Sequence, residues 1–504
     1  MEQTTVQAPV AASVDTVAPE FLAQQERQRL PQDLCGGAEA MRRAGERYVE
    51  KGEGETAKAY EARLNRPALL NSFKRTLAFM RGQVFQKAVA LGEDADEATL
   101  AWAEDVDRQG HSLTTWSAET FEAGLRDGIV FCLADYSRVE LRTAESGALE
   151  YMDKDGQWKP KTAAADAAHG WAPYLIRIEA GSVLDVWTET AESGASVVTR
   201  LRYMERGLEP SALSEWSRQA VDRIHEWKPD SWRRYVRHGG AGAWELEAEG
   251  VNSLGRIPLS VFMPGERRGP MSAAPALADL AELNRRHWAA SAGHCELMEF
   301  VRRPVWFGRG IGAIRNADGT ESDVSVSAGR LICTETADAD LKSVGIEASA
   351  VSASAQELET LKGEMALYGL QLLQPRGGTQ TATEVERNSS ESNSTLQAWA
   401  ASFGDFLENV LRDCAQWRGM EDGCSVSVNT TFSRRTSDDY LLELYRAGAV
   451  SLETLLALLK AAGTLPDDFD VDGEAERMAR GLLMNGSGTG IASLSAALSA
   501  SAKG

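Results

Sequence analysis

The sequence predicts an α+β protein, on three observations. Segments of helical period fill most of residues 20–126, short apolar or alternating segments fill 129–263, and two long helical stretches follow with a strand-rich segment between them. With 504 residues, 43% apolar and 25% charged, the chain has room for two to four domains around a substantial core. Those values exclude wholesale disorder and collagen-like architecture.

Residues 1–20 are small and polar and are expected to form a flexible tail. Glu20 to Arg47 reads as helix, and Lys51-Gly-Glu-Gly-Glu as a loop. A helix starts at Thr56, with Tyr60, Leu64 and Ala68 at helical spacing and a break at Pro67. Leu70, Phe73, Leu77, Phe79 and Met80 carry the pattern on to Arg81-Gly82. Trp116 to Arg126 is the next helix, stopped by Asp127-Gly128. The apolar run Ile129–Leu133 that follows is a buried strand.

Strands are then expected at Tyr174–Ile178, Val183–Trp187, Val197–Tyr203, Ile224–Trp227, Trp232–Val236 and Leu259–Met263. Glu192-Ser-Gly, Lys228-Pro-Asp and Pro264-Gly supply turns between them. Pro275 opens a helix that meets no breaker but Gly293 before Arg302, roughly 40 Å of strut. A small β module follows, with a hairpin-like Asn316-Ala-Asp-Gly. A second strut is expected at 354–373, opened by a capping box of Ser354 and Glu357. Gln374-Pro-Arg-Gly-Gly-Thr-Gln380 reads as a loop, Thr383-Glu-Val-Glu as a helix start, and Thr395 to Trp417 as an amphipathic helix. A strand over Ser425–Phe432 and helices at Ser437–Ala447, Ser451–Ala462 and Glu474–Leu483 close the fold. Residues 484–504 are low-complexity and expected to be disordered.

Chemistry is scarce along this chain. No Gly-Lys dipeptide occurs, which excludes a phosphate loop, and Gly308-Arg-Gly-Ile-Gly has the wrong spacing for a dinucleotide turn. Metalloprotease, hydrolase-elbow and kinase motifs are missing, and 74 carboxylates make any posed acid pair unspecific. Six scattered cysteines contain no C-x-x-C, and His287 and His294 share a helix face without a further ligand. No catalytic residue, metal or cofactor is therefore expected. Trp171, Trp187, Trp227 and Trp232 could line a sugar cleft, but core and cross-strand packing is the simpler use of them. No apolar run is long enough to span a membrane, and the first 20 residues lack the pattern of a signal peptide.

Charge says more. The net charge is −21, a poor match for gripping nucleic acid along its length. Residues 281–318 nevertheless hold six arginines (Arg285, Arg286, Arg302, Arg303, Arg309, Arg315) against four carboxylates, while 319–368 reverse the balance. A solvated face with ion pairs explains this; so does a basic collar at the strut end and tip that faces a polyanion or an acidic partner. Arg376, beside Gly377 and Gly378, is a second cation on a loop.

Four stretches, taken together, resemble the portal proteins of tailed bacteriophages, in particular a portal-like phage family long of unknown function. They are Ala59-Tyr-Glu-Ala-Arg-Leu with Asn71-Ser-Phe-Lys-Arg-Thr, and Val106-Asp-Arg-Gln-Gly-His-Ser-Leu leading to Gly128-Ile-Val. The others are Ala172-Pro-Tyr-Leu with Val183-Leu-Asp-Val-Trp, and the Pro275–Trp288 helix with Arg303-Pro. The likeness runs over about 36–480. It implies an α/β wing at 21–274, stem helices at 275–302 and 354–373, and a small β-containing clip at 303–353. It further implies a tunnel loop at 374–382, a tunnel helix and wing return at 383–435, and a helical crown at 436–483.

The resemblance also implies a function. A ring of usually twelve subunits sits at one capsid vertex of the virion, assembled in the bacterial cytoplasm, and conducts double-stranded DNA in packaging and ejection. Gln374, Arg376, Gly377, Gly378, Thr379 and Gln380 would face the DNA channel. Arg309, Arg315, Asn316 and Asp318 would dock the terminase large subunit and then head–tail adaptor proteins, with Arg302 and Arg303 as the basic strut end. Major capsid and scaffolding proteins are the remaining implied partners. A channel of strongly acidic subunits suits duplex that must slide rather than stick. The competing readings are a head or head–tail structural protein that conducts no DNA, and a carbohydrate-active hydrolase on the 129–263 region.

Overall fold

The computed structural model describes residues 13–137, 141–144, 149–153, 156–162, 165, 168–211, 214–240, 242–303, 305–309, 314–315, 321–322, 338, 340–370, 382–430, 445–446, 450–461, 465, 469–470, 473 and 477. The chain divides into two compact units, Met1–Thr430 and Thr431–Gly504. Mixed helices and antiparallel sheets make it α+β.

Helices dominate the first part: α1 (Pro19–Ala44), α2 (Ala57–Asn65), α3 (Ser72–Val84), α4 (Glu97–Trp102) and α5 (Leu113–Asp127), with the two-residue β1 (Ala90–Leu91) among them. Side chains cap them as their sequences demand. The Thr56, Asn71, Asp96 and Ser112 side chains accept the N–H groups of Ala59, Lys74, Thr99 and Thr115. Gly128 ends α5 at φ 83°, and a Cβ there would lie 2.2 Å from the Ala274 carbonyl oxygen, so only glycine fits.

β2 (Val130–Tyr136) follows at once and is buried along nearly its whole length. After the small sheet of β3 (Leu141–Thr143), β4 (Leu149–Met152) and β5 (Trp158–Pro160), β6 (Pro173–Glu179) pairs antiparallel with β2. A meander then makes a five-stranded sheet from β7 (Val183–Thr190), β8 (Ser196–Ser211), β9 (Ser214–Trp227), β10 (Ser231–His238) and β11 (Glu245–Val251). β12 (Leu259–Phe262) returns to the other edge of β2, and β13 (Glu266–Gly269) pairs with β14 (Ser272–Ala274).

The two larger sheets face each other over one core. Phe131, Leu133 and Ile178 from one meet Leu201, Tyr203 and Trp227 from the other, with Phe21 of α1 closing the stack. Each such side chain contributes about 1.5–3 kcal/mol by leaving water. β8 and β9 run well beyond this core, and their far ends expose Leu208 (65%) and Trp216 (89%).

Next come α6 (Ala278–Arg302), β15 (Val305–Arg309), β16 (Ile314–Arg315), β17 (Glu321–Ser322), β18 (Asp340–Val344) and α7 (Ala348–Met365), then a π-helical turn over Ala366–Leu370. α8 (Ala382–Trp417) carries the chain back onto the β2 sheet, and β19 (Val426–Ser427) pairs with β1. In the second unit, α9 (Leu452–Ala461) starts at Ser451, whose Oγ accepts the Thr454 N–H at 3.1 Å. It buries Leu455 and Leu459 against Tyr445, Leu452 and Leu465.

Several expectations shift. Residues 13–18 are fixed rather than tail-like: the Ala18 N–H donates to Leu184 O at 2.9 Å, and Arg202 donates to Val14 O and Thr16 O. The first strut begins at Ala278, since Leu277 lies outside helical geometry. The second begins at Ala348, with Ser354 inside it, so the proposed capping box is not a cap. The helices read separately at 383 and 395 are one 36-residue helix. Of the strand expected over 425–432, only Val426 and Ser427 pair among the described residues, because β1 offers two residues, and 431–432 lie outside those described. The N-terminal tail up to residue 12, most of the clip, residues 374–381 of the tunnel loop, Ser437, most of Glu474–Leu483 and the 484–504 tail lie outside the described residues.

Candidate functional site

The feature that most distinguishes this fold is the excursion from α6 to α7. α6 and α7 pack against each other, and the strands at their ends continue the pairing. Val305 to Arg309 run antiparallel to Asp340 to Val344, with Arg309 opposite Asp340. Ile314 and Arg315 pair with Ser322 and Glu321, which bracket the expected Asn316-Ala-Asp-Gly turn. A two-helix strut thus carries a β ribbon at its end.

The near end of the strut is locked into the helical layer. Asn284 ties down the start of α3, accepting the Phe73 N–H and donating to the O of Leu70 just before the helix, each at 3.0 Å. Arg285 bonds Glu282 and donates to Tyr48 O at 3.2 Å. Trp288 and Ala292 are fully buried. His287 is buried beside them, and neither ring nitrogen has a hydrogen-bond partner. Burial first, and the Lys362 charge second, hold its pKa below the ordinary histidine value, so it sits neutral.

The far end differs. Phe300 and Val301 are 45% and 46% exposed, and a groove of about 580 Å³ opens between the helices beside them. His294 reaches across it, its Nδ1 3.1 Å from the Ser354 Oγ. Arg302 is exposed and pairs with Glu299 at 3.7 Å, and Arg303 is exposed at the helix end. Arg309 is exposed on β15, and Asp340 opposite it is paired with Lys342 at 2.9 Å. The strut end therefore presents Arg302, Arg303 and Arg309 to solvent. Arg315 lies on β16, with its side chain outside the described residues, as are Asn316, Asp318, Gln374, Arg376, Gly377, Gly378, Thr379 and Gln380.

α8 joins the excursion to the body. Phe403 makes edge contacts with Phe121 (5.4 Å) and Phe262 (4.9 Å), and the Trp417 indole donates to Ala134 O at 2.8 Å. Asp413, 7% exposed, receives Arg256 at 2.5 Å and the Ser260 hydroxyl at 3.0 Å. Burial raises its pKa above the usual carboxylate value, and the Arg256 charge opposes that rise.

The described charges of the excursion are exposed or paired. Among the described residues no three His, Cys, Asp or Glu side chains could hold a metal, so His287 and His294 form no such site. Nor do the tryptophans form one cleft. Trp227 and Trp232 line a cavity of about 920 Å³ between the two larger sheets, while Trp171 lines a separate one of about 500 Å³. Trp187 is half exposed under Arg200. The larger cavity also draws on Asp135, Tyr174, Glu205 and His225, none of which sequence reasoning singled out. The only available signal was alternation along β9, which does not choose among so many acids. No helix among the described residues is long and apolar enough to cross a membrane.

A family model described as a domain of unknown function, DUF4055, matches residues 276–418, from just before α6 to the end of α8. No curated protein matches the chain. Two solved structures show a weak likeness. One is the neck of a native GTA particle computed with C12 symmetry, at 13% identity and a TM-score of 0.36, over 77% of this chain and 89% of that one. The other is the neck of an empty GTA particle computed with C6 symmetry, at 13% identity and a TM-score of 0.37 over the same shares.

Proposed function

We propose that this chain is a portal subunit of a tailed-bacteriophage particle, one of about twelve forming a ring at a capsid vertex. In this reading the ring conducts double-stranded DNA during packaging and ejection, and α6 and α7 form the stem. The β ribbon is the clip that docks the terminase large subunit and then head–tail adaptors. Residues 374–382 form the loop facing DNA, and major capsid and scaffolding proteins surround the ring. The chain itself is not an enzyme: ATP hydrolysis belongs to the docked motor.

The observation that carries the reading is the strut with its ribbon, followed by one 36-residue helix that returns to the body. A hairpin of helices ending in a basic β tip is a poor catalytic scaffold and a good docking post. The acidic chain, at −21, agrees with a lumen that duplex slides through, since each gripped phosphate adds a barrier.

Negative-stain imaging with mass photometry of the purified full chain tests the proposal. Closed rings with an axial hole about as wide as a duplex are expected. Assemblies without an axial opening would favour a non-conducting head or head–tail protein. A monomer that stays monomeric with its scaffolding partner and turns over an oligosaccharide would replace the structural reading with the hydrolase.

A further inference from the structure

β8 and β9 outrun their neighbours in the five-stranded sheet. β7 pairs with β8 as far as Tyr203, and β10 with β9 back to Val221. Beyond those residues the two strands continue as a pair, with Leu208 opposite Ala220 and Pro210 opposite Arg218. Met204 to Ser211 make ~25 Å of two-stranded ribbon, a structure that is marginal by itself in water. Alternation puts Leu208, Pro210, Trp216, Arg218 and Ala220 on one face, and all five are exposed. Trp216, at 89%, is the most exposed large apolar side chain among the described residues. Glu209 belongs to the other face, where it pairs with Arg223. The exposed face therefore offers an indole, a leucine and a guanidinium. Exposed apolar surface of this kind marks a contact with another macromolecule.

A complementary hole lies elsewhere on the same unit. The cavity of about 500 Å³ is walled by α4, the Trp171–Pro173 segment, the end of α8 and the turn after it. That volume falls in the roughly 300–1,000 Å³ range of pockets that bury a small ligand. Trp102 and Trp171 give it aromatic walls, and Leu411 and Met420 aliphatic ones. Both indoles are held in place: Trp102 Nε1 donates to Pro173 O at 2.8 Å, and Trp171 stacks on His169 with ring centroids 4.4 Å apart.

The rim of this cavity is acidic. Asp94, Asp96 and Asp422 line it, and the exposed Glu93, Glu97 and Glu421 adjoin them in sequence, against Arg412 and Arg418. Arg418 answers Asp96 at 2.6 Å. Asp94 is held by neutral groups instead, accepting the Ser425 N–H at 2.9 Å and the Ser425 hydroxyl at 2.8 Å. Those bonds keep its pKa below the ordinary carboxylate value, so its charge persists. Asp422, its side chain 89% exposed, lies 4.0 Å from Arg412, a separation at which a solvated pair contributes little. An apolar hole with acid left over at its rim is the counterpart of an indole with a guanidinium beside it. Trp and Arg are also the side chains that most often carry an interface once buried. None of the residues lining the cavity belongs to β8 or β9, so a hairpin that fills it comes from another molecule. A contact between unlike surfaces repeats head to tail and closes into a ring where the rotation allows.

We propose that the β8–β9 hairpin of one copy of this chain docks in the Trp102–Trp171 cavity of a second copy, with Trp216 in the cavity and Arg218 against Asp94 and Asp422 at its rim. The inference rests on the ring reading above and names a contact that holds neighbouring subunits together.

Mass photometry of the full chain across a dilution series tests it. Trp216→Ser and Arg218→Glu should each raise the dissociation constant of the assembly about tenfold or more, while the exposed control Arg29→Glu leaves it unchanged. Asp422→Arg should weaken assembly as Arg218→Glu does. The two reversals on one chain should restore it, since every copy then carries both halves of the swapped pair. A second readout does not need a stable assembly. In the Trp216→Cys variant, mild oxidation should link copies through Cys424, which lines the cavity, and adding Cys424→Ser should abolish the link. Assembly indifferent to Trp216→Ser and Arg218→Glu overturns the docking and leaves the ring reading standing. A loss that Asp422→Arg fails to repair overturns the assignment to this cavity. A wild-type chain that stays monomeric, with no Cys424 link in the Trp216→Cys variant, overturns it as well. Assemblies that pass both tests but image as open filaments without an axial hole would support the docking and overturn the ring reading instead.

Discussion

Arg256→Met attacks the clamp that holds α8 to the β2 sheet. It removes the cation from Asp413, a carboxylate 7% exposed that keeps only the Ser260 hydroxyl at 3.0 Å. Breaking a fully buried pair destabilises by about 3–5 kcal/mol. The Arg256 side chain is 36% exposed, so solvent screening reduces the expected loss to about 2 kcal/mol near pH 7.5, roughly 30-fold in the unfolding equilibrium.

The loss must also depend on pH. Asp413 already has a folded-state pKa above its ordinary 3.8 because burial disfavours the charged form, and the Arg256 charge limits that rise. Without Arg256 the folded pKa climbs further. A carboxyl with a raised folded pKa destabilises fully above that pKa, and the penalty disappears as pH falls through it towards the unfolded value. Urea denaturation of wild type and R256M at pH 7.5 and pH 5 measures both effects. The R256M deficit should shrink at pH 5, and Asp413→Asn added to R256M should recover stability at pH 7.5. A deficit equal at the two pH values, or a double variant no more stable than R256M, would refute the reasoning.

Other expectations are briefer. Gly128→Ala should cost at least about 3 kcal/mol and lower the thermal midpoint steeply, because φ is 83° and the new Cβ meets the Ala274 carbonyl. Gly293→Ala, with open space around its position inside α6, should raise stability by about 1 kcal/mol in the same assay. His111 is held above the usual histidine pKa by its bond to Asp107, so its contribution is present below pH 6.5 and lost as pH rises through the folded pKa. His111→Gln should flatten that part of the stability–pH curve. On the proposed function, deleting 376–380 should leave rings intact and reduce DNA packaging or retention. Replacing Arg309 and Arg315 by Glu should weaken motor or adaptor docking in a pull-down without unfolding the subunit.

Much of this fold was legible because local chemistry and tertiary packing agree. Thr56 and Ser451 are caps in sequence and in space, and Asp127-Gly128 stops a helix because the chain turns there against Ala274. The strut was legible because α6 meets no breaker but Gly293 along its whole length. The start of α7 was misread because Ser354 has a better partner across the groove in His294, while α7 begins at 348 without a side-chain cap. β3 to β5 and β11 were not legible: Glu245-Leu-Glu-Ala-Glu-Gly-Val reads as polar, and only pairing with β10 makes it a strand. The basic strut end could be picked from charge runs. The cavity between the sheets could not, because Asp135 and Glu205 are 70 residues apart and meet through sheet packing alone.

The β15–β18 ladder has a practical consequence. Arg309 and Asp340 are register partners, so everything from 310 to 339 departs and returns at a single point. The ends of that segment meet about 5 Å apart before the segment contributes anything. A short turn could replace it, or a foreign domain with adjacent termini could be grafted there, without a change in the length or phase of either helix. The tip is in this sense an exchangeable cassette on a fixed mast. On the proposed function, cassettes swapped between related chains would move partner preference and leave the body's stability where it was.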